Sequence, residues 1–195
     1  MGELEIISEK RLKEAYNSIE GLTNIYQDHN FFWKSASGWV PKEANDILSK
    51  SRLDWLHSLS ESLFLWVETY RSSIDNDGKL ILAWANLGAL LEGGLKLFLS
   101  IYYNDYKNSP YNKKDKKGAL RNPDTLQMEE LKIFIQKENL FDKGWYDFIS
   151  AVQVRRNAIH AYKDRDIGNW NEFFDSVDKL CEFTKVIKSH LPYPD

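Results

Sequence analysis

The chain has one cysteine, Cys181, which excludes an intramolecular disulfide and any cysteine-rich zinc site and suits a reducing cytoplasm. Only five prolines are present, too few for a proline-rich disordered chain. Alternating strand runs, a βαβ rhythm and a repeat of fixed period are all missing. So are the GxxxxGK and GxGxxG phosphate loops, the HExxH zinc helix and the GxSxG nucleophile turn. The histidines His29, His57, His160 and His190 are scattered, and none has a second histidine at i+3 or i+4, so neither a metal nor a cofactor is expected. A net charge of −3 and a pI near 5.9 argue against a strongly basic nucleic-acid coat. The stretch Met1–Ile6 is too acidic, and its apolar run too short, for a secretory signal. The longest apolar run, Leu80 to Ile101, carries Asn86, Glu92 and Lys96, each costly in lipid, and reads as a buried helix rather than a membrane span.

What is present is a folded composition, 43% apolar and 28% charged, on a length of 195 residues that suits one domain with a single core. Leu12, Ala15, Tyr16, Ile19, Leu22 and Tyr26 recur at helical spacing and predict a first helix from about Ser8 to Gln27. Small residues, glycine and proline break the period over residues 29–41, an aromatic loop whose Phe32, Trp33 and Trp39 either cap a bundle core or stack on nucleobases. A second helix of about 30 residues follows Pro41, marked by Leu48, Trp55, Leu56, Leu59, Leu63, Trp66, Val67 and Tyr70. Asp75, Asn76, Asp77 and Gly78 form a stop and turn. The third helix, from Lys79 to about Tyr103, is apolar on nearly all sides and therefore central, and its Gly88, Gly93 and Gly94 imply close approach of a neighbour.

Residues 104–123, with Lys113, Lys114, Lys116 and Lys117, read as a mobile basic loop, either merely solvated or lying along a phosphate backbone. A short helix from Asp124 to about Asn139, a helix from about Asp142 to Tyr162 and a last helix opened by Asn169 and Glu172 complete the chain. The architecture expected is all-α, five or six helices around one core.

The chemically loaded stretch is Val154 to Tyr162. A helix advances about 100° per residue, so Arg156 and His160 stack at i, i+4 and Asn157 joins His160 at i+3. The apolar stripe of Trp145, Phe148, Ile149, Val152 and Ile159 runs through Arg156, and a guanidinium on a buried face needs a carboxylate, a phosphate or a wet cleft. Glu92 is the outstanding polar residue of the central helix. It either orients His160 or an arginine of the patch, or forms a structural ion pair with Arg155, Arg156 or Lys96, and the residue types favour the ion pair.

Arg155-Arg156-Asn157-Ala158-Ile159-His160, late in an all-α chain of this size, resembles the R-x4-6-H motif of the HEPN superfamily. Arg155 and His160 satisfy its spacing, whereas the polar residue common after the arginine is here Arg156. Pairing Arg156 with Asn157 leaves a gap one residue short. Ala158 to Asp166 and Leu91 to Leu99 resemble uncharacterised bacterial proteins related to that superfamily. The resemblance implies a single helical bundle that often dimerises with its motif at the interface. Active members are metal-independent endoribonucleases of toxin–antitoxin, abortive-infection and antiviral systems; others bind nucleotides or partner proteins. It implies Arg155, Arg156, Asn157 and His160 as catalytic residues, RNA as substrate, a homodimer, and an antitoxin or nucleotidyltransferase as partner protein; Glu92, from its place on the central helix, is the supporting carboxylate. The residue chemistry fits: histidine moves protons near neutrality, and the arginine fork matches phosphate oxygens. Helical geometry puts Arg156 toward the bundle or cleft and Arg155 at its rim.

Overall fold

The computed structural model describes residues 6–72, 77–160 and 162–193. Helix α1 (Glu9–Trp33) starts where the Ser8 side chain accepts a bond from the Arg11 amide at 3.2 Å. It runs more than a turn past the expected end at Gln27. His29 and Trp33 continue the buried stripe of Leu12, Ile19, Leu22 and Tyr26 at helical spacing, and both are fully buried. The aromatic loop is therefore shorter than expected. Trp33 belongs to the core, Phe32 packs partly against it, and Trp39 is exposed.

The single helix expected after Pro41 is three: α2 (Lys42–Leu48), α3 (Leu53–Glu61) and α4 (Phe64–Ser72). Serines stand at both breaks. Ser51 Oγ donates to the Leu48 carbonyl at 2.5 Å, and Ser60 and Ser62 Oγ donate to the carbonyls of His57 and Leu59 at 2.6 and 2.7 Å. Such hydroxyls compete with amides for helix carbonyls and end the ladder while the apolar stripe continues. Of the expected turn, Asp77 and Gly78 are the first residues of the next helix, while Asp75 and Asn76 lie outside the described residues.

That helix, α5 (Asp77–Ile101), is central as expected, packing against α1's neighbours α3 and α4 on one side and the late helices on the other. It is the one described helix long and apolar enough to cross a membrane, and most of that span is buried within the bundle. Its glycines mark close approaches: a β-carbon at Gly93 would lie 2.4 Å from Leu56 Cδ2.

Residues 104–123, expected as a loop, begin within a helix and carry hydrogen bonds along their length. Helix α6 (Tyr103–Asn108) buries Tyr106, whose hydroxyl donates to the Arg121 carbonyl at 2.7 Å and accepts from the Lys113 amide at 3.1 Å. Asp115 Oδ1 accepts from the amides of Lys117 and Ala119 at 2.8 and 2.9 Å, and Gly118 takes φ +82°, so the lysines ride on a tight turn. Lys114, Lys116 and Lys117 remain exposed.

A 3-10 turn (Pro123–Thr125) precedes α7 (Met128–Lys137), which carries a capping box between Gln127 and Glu130. Asn139, at φ +52°, ends α7 in the left-handed conformation and turns Leu140 back, its amide bonding the Ile135 carbonyl at 3.1 Å. Helix α8 (Lys143–Arg156) stops earlier than expected, and residues Asn157–His160 form a 3-10 turn. Helix α9 (Trp170–His190) opens with the expected Asn169 and Glu172 capping box, both bonds at 3.0 Å. One contiguous core runs from Ile7 to Leu191 through these helices, with a small satellite of Ala44, Ile47 and Tyr103. The all-α architecture is as expected, with more helical segments because of the serine breaks and the short α6.

Candidate functional site

Three elements meet at the end of α8. Phe148, Ile149 and Val152 bury one face of α8 against the core. This places Arg156, next on that face, across α5. Gly88 leaves the space, since a β-carbon there would lie 2.4 Å from Arg156 Cγ and 2.7 Å from its Cβ. One turn further along α5, Glu92 Oε2 accepts from Arg156 Nη2 at 2.9 Å, and Glu92 Oε1 pairs with Lys96 Nζ at 2.8 Å. The Glu92 carboxylate is thus shared by two cations, with side-chain exposures of 16% for Glu92, 31% for Arg156 and 27% for Lys96. Of the carboxylate, phosphate or wet cleft that its position called for, the guanidinium has a carboxylate.

Beyond the pair opens a polar cleft of about 440 Å³, lined by Arg156, Asn157 and His160 on one side and Gln127, Met128 and Glu129 at the start of α7 on the other. Arg156 Nη1 donates to Asn157 Oδ1 at 3.4 Å. His160 is exposed and lies in the 3-10 turn, so its relation to Arg156 is not the helical i, i+4 stacking expected. In a 3-10 turn residues three apart lie on one face, so Asn157, expected beside His160 at i+3, keeps that place along the turn. Gln153 braces the far wall: its Nε2 donates to Glu129 Oε2 and its Oε1 accepts from Lys132 Nζ, both at 2.8 Å. Lys132 and Gln153 together hold the Glu129 carboxyl below its ordinary value.

Beside the Glu92 and Arg156 pair is also an apolar groove of about 320 Å³ between α5 and the α2–α3 corner, including Leu48, Leu53, Leu56 and Leu97. Glu92 and Arg156 line both spaces.

Arg155 points elsewhere. Its Nη1 pairs with Glu172 Oε2 at 3.0 Å and Asp166 Oδ1 at 3.3 Å, and its guanidinium lies 5.6 Å from the Trp84 ring centroid. At 16% exposure it is more buried than Arg156, and it fastens the loop before α9 rather than lying at the rim of the cleft. Four of the five expected site residues, Glu92, Arg156, Asn157 and His160, therefore converge, and Arg155 stands apart. Ile159, expected in the buried stripe, is exposed because the 3-10 turn rotates it outward. Ala161 lies outside the described residues.

Sequence reasoning missed Gln127, Glu129, Lys132 and Gln153. The Gln127 and Glu130 spacing was a readable capping signal, whereas the crossing of α7 over α8 that joins Glu129 to Gln153 has no local signature. Among the described residues no three His, Cys, Asp or Glu side chains group as metal ligands. No family model, curated protein or solved structure matches the chain.

Proposed function

We propose that this protein is a HEPN-like, metal-independent endoribonuclease of the cytoplasm, serving as a toxin or antiviral defence component and acting as a homodimer. The observation that carries the proposal is the cleft in which Arg156, held on α5 by Glu92, shares a polar wall with Asn157 and His160. RNA cleavage without metal requires removal of the 2′-hydroxyl proton, attack of that oxygen on phosphorus, and protonation of the departing 5′-oxygen. His160 is exposed and suited to proton transfer, and the Arg156 fork to the charge on the phosphate oxygens. Asn157 supplies a carboxamide to orient either.

Each protomer has one histidine in the cleft, so acid and base together call for two copies of His160 across a two-fold axis. The apolar residues exposed on the same segment, Val154, Ile159 and Tyr162, support such an interface. Arg155, the arginine at family spacing, takes a structural role here, fastening the loop before α9 through Glu172 and Asp166. The test is incubation of the purified protein with single-stranded RNA in EDTA, beside His160→Ala and Arg156→Ala. Products ending in 2′,3′-cyclic phosphate, lost in both variants, are expected; intact RNA across a range of substrates refutes the proposal.

A second reading has its own observation. Both arginines already have carboxylate partners, Arg155 with Glu172 and Asp166 and Arg156 with Glu92, as in a non-catalytic module of the same fold that binds a partner protein or nucleotide. Co-purification with an antitoxin or nucleotidyltransferase encoded by a neighbouring gene, together with inactivity on RNA, distinguishes this reading.

A further inference from the structure

A third space, of about 300 Å³, lies at the C-terminal end of α5, between its last turns, α6, the end of α7 and the end of α9. Its walls are largely aromatic: Phe98, Tyr102, Tyr106 and Phe134. The Phe98 and Tyr102 centroids are 5.0 Å apart, as are those of Tyr106 and Phe134, and three of the four rings are buried. The polar groups at this space are Asp105, Glu138 and His190.

Each of these groups can accept a hydrogen bond. His190 Nδ1 lies 2.8 Å from the Val186 carbonyl, which can only accept, so Nδ1 carries a proton and Nε2 is the nitrogen left to accept. The Tyr102 hydroxyl spends its proton on the His190 carbonyl, and Glu138 accepts from Ser109 Oγ. Asp105 has no ion-pair partner among the described residues, and no lysine or arginine lines the space. Burial, and next the charge of Asp105, push the Tyr102 phenol up. Aromatic faces attract cations, and two carboxylates with an imidazole acceptor can receive N–H bonds.

We propose that this cavity binds a small organic ammonium ion, a protonated amine with an apolar body, whose head is held by Asp105, Glu138 and His190 and whose body lies among Phe98, Tyr102, Tyr106 and Phe134. The site is separate from the cleft at His160 and does not depend on the ribonuclease proposal.

The test is calorimetric titration of the full chain near neutral pH with 2-phenylethylammonium, and with 2-phenylethanol as its uncharged counterpart. Two variants accompany it, Asp105→Asn at an exposed position and Leu140→Trp to fill the cavity, with circular dichroism to check the fold. Saturable binding of the ammonium is expected, weakened about ten-fold or more by either variant and by exchange for the alcohol. Absence of saturation in the millimolar range, equal binding of the alcohol, or binding indifferent to both variants overturns the proposal.

Discussion

Arg156 lies flat across Gly88, so close that a β-carbon on the glycine would stand 2.4 Å from the arginine's Cγ. The guanidinium reaches Glu92 only because its stem occupies the space a side chain would fill. Gly88→Ala should therefore act on the site rather than on the helix, where alanine is otherwise the better residue by about 1 kcal/mol. Overpacking should cost about 1–3 kcal/mol instead, and lower any RNA cleavage along with it. Thermal unfolding and a cleavage assay check both; a variant of raised stability and full activity contradicts the close packing.

Glu92 carries two cations, and removing its charge leaves Arg156 and Lys96 side by side. Glu92→Gln should destabilise by about 1–2 kcal/mol, less than a fully buried pair would lose because water reaches Arg156 and Lys96. If Glu92 positions Arg156 for phosphate, cleavage falls while Lys96→Ala, which leaves the Arg156 bond intact, retains it. Equal losses in both variants point to a structural cluster alone. Single-turnover cleavage alongside urea unfolding separates the effects.

Arg155 tests the motif directly. Its bonds to Glu172 and Asp166 tie the end of α8 to the cap of α9, and Gly168 has room for the guanidinium only because it lacks a side chain. Arg155→Ala should destabilise by about 1–3 kcal/mol and expose residues 163–169 to limited proteolysis, through loss of the packing over Trp84 as well as of the charge. Arg155→Lys, a point charge without the fork, should recover only part. Under the function proposed here cleavage per folded molecule survives both substitutions. Abolished cleavage in a fully folded Arg155→Lys would return the primary role to Arg155.

The order of the helices, the central place of α5 and the cap at Asn169 and Glu172 were readable because each rests on residues close in sequence. The glycines of α5 likewise announced close neighbours, though not which. The breaks at Ser51 and Ser60–Ser62 were hidden because the apolar stripe runs through them, and hydroxyl-to-carbonyl bonds leave the hydrophobic period untouched. Of the site, Arg156 could be placed on a buried face and Glu92 named as a partner from chain position alone. The 3-10 turn that moves His160, and the loop that captures Arg155, follow from tertiary contacts with α5 and α9. His29 was similarly opaque: its place in the α1 stripe is visible only once Trp33 is known to be buried.

His29 has no exposure, and its Nδ1 lies 2.6 Å from the Tyr193 hydroxyl while Nε2 has no hydrogen-bond partner. Burial, and next the positive charge of Lys188, push its pKa down to about 4, with Asp28, paired to Lys188 at 2.6 Å, opposing in part. Tyr193 is pushed up to about 12, mainly by burial, so its proton is available to the imidazole throughout the neutral range. The unfolded chain takes up a proton on this histidine near pH 6.5, whereas the folded one resists until about 4. Stability from this group is therefore complete above about pH 6.5 and falls as the pH drops from there toward 4, at up to about 1.4 kcal/mol per unit. Between about pH 5 and 6.5 few carboxylates titrate, which isolates the contribution. Urea unfolding across that interval should show a clear loss of stability on acidification in the natural chain and a flatter profile in His29→Gln. Parallel profiles would mean that His29 is already protonated in the folded protein, with its charge compensated by Asp28.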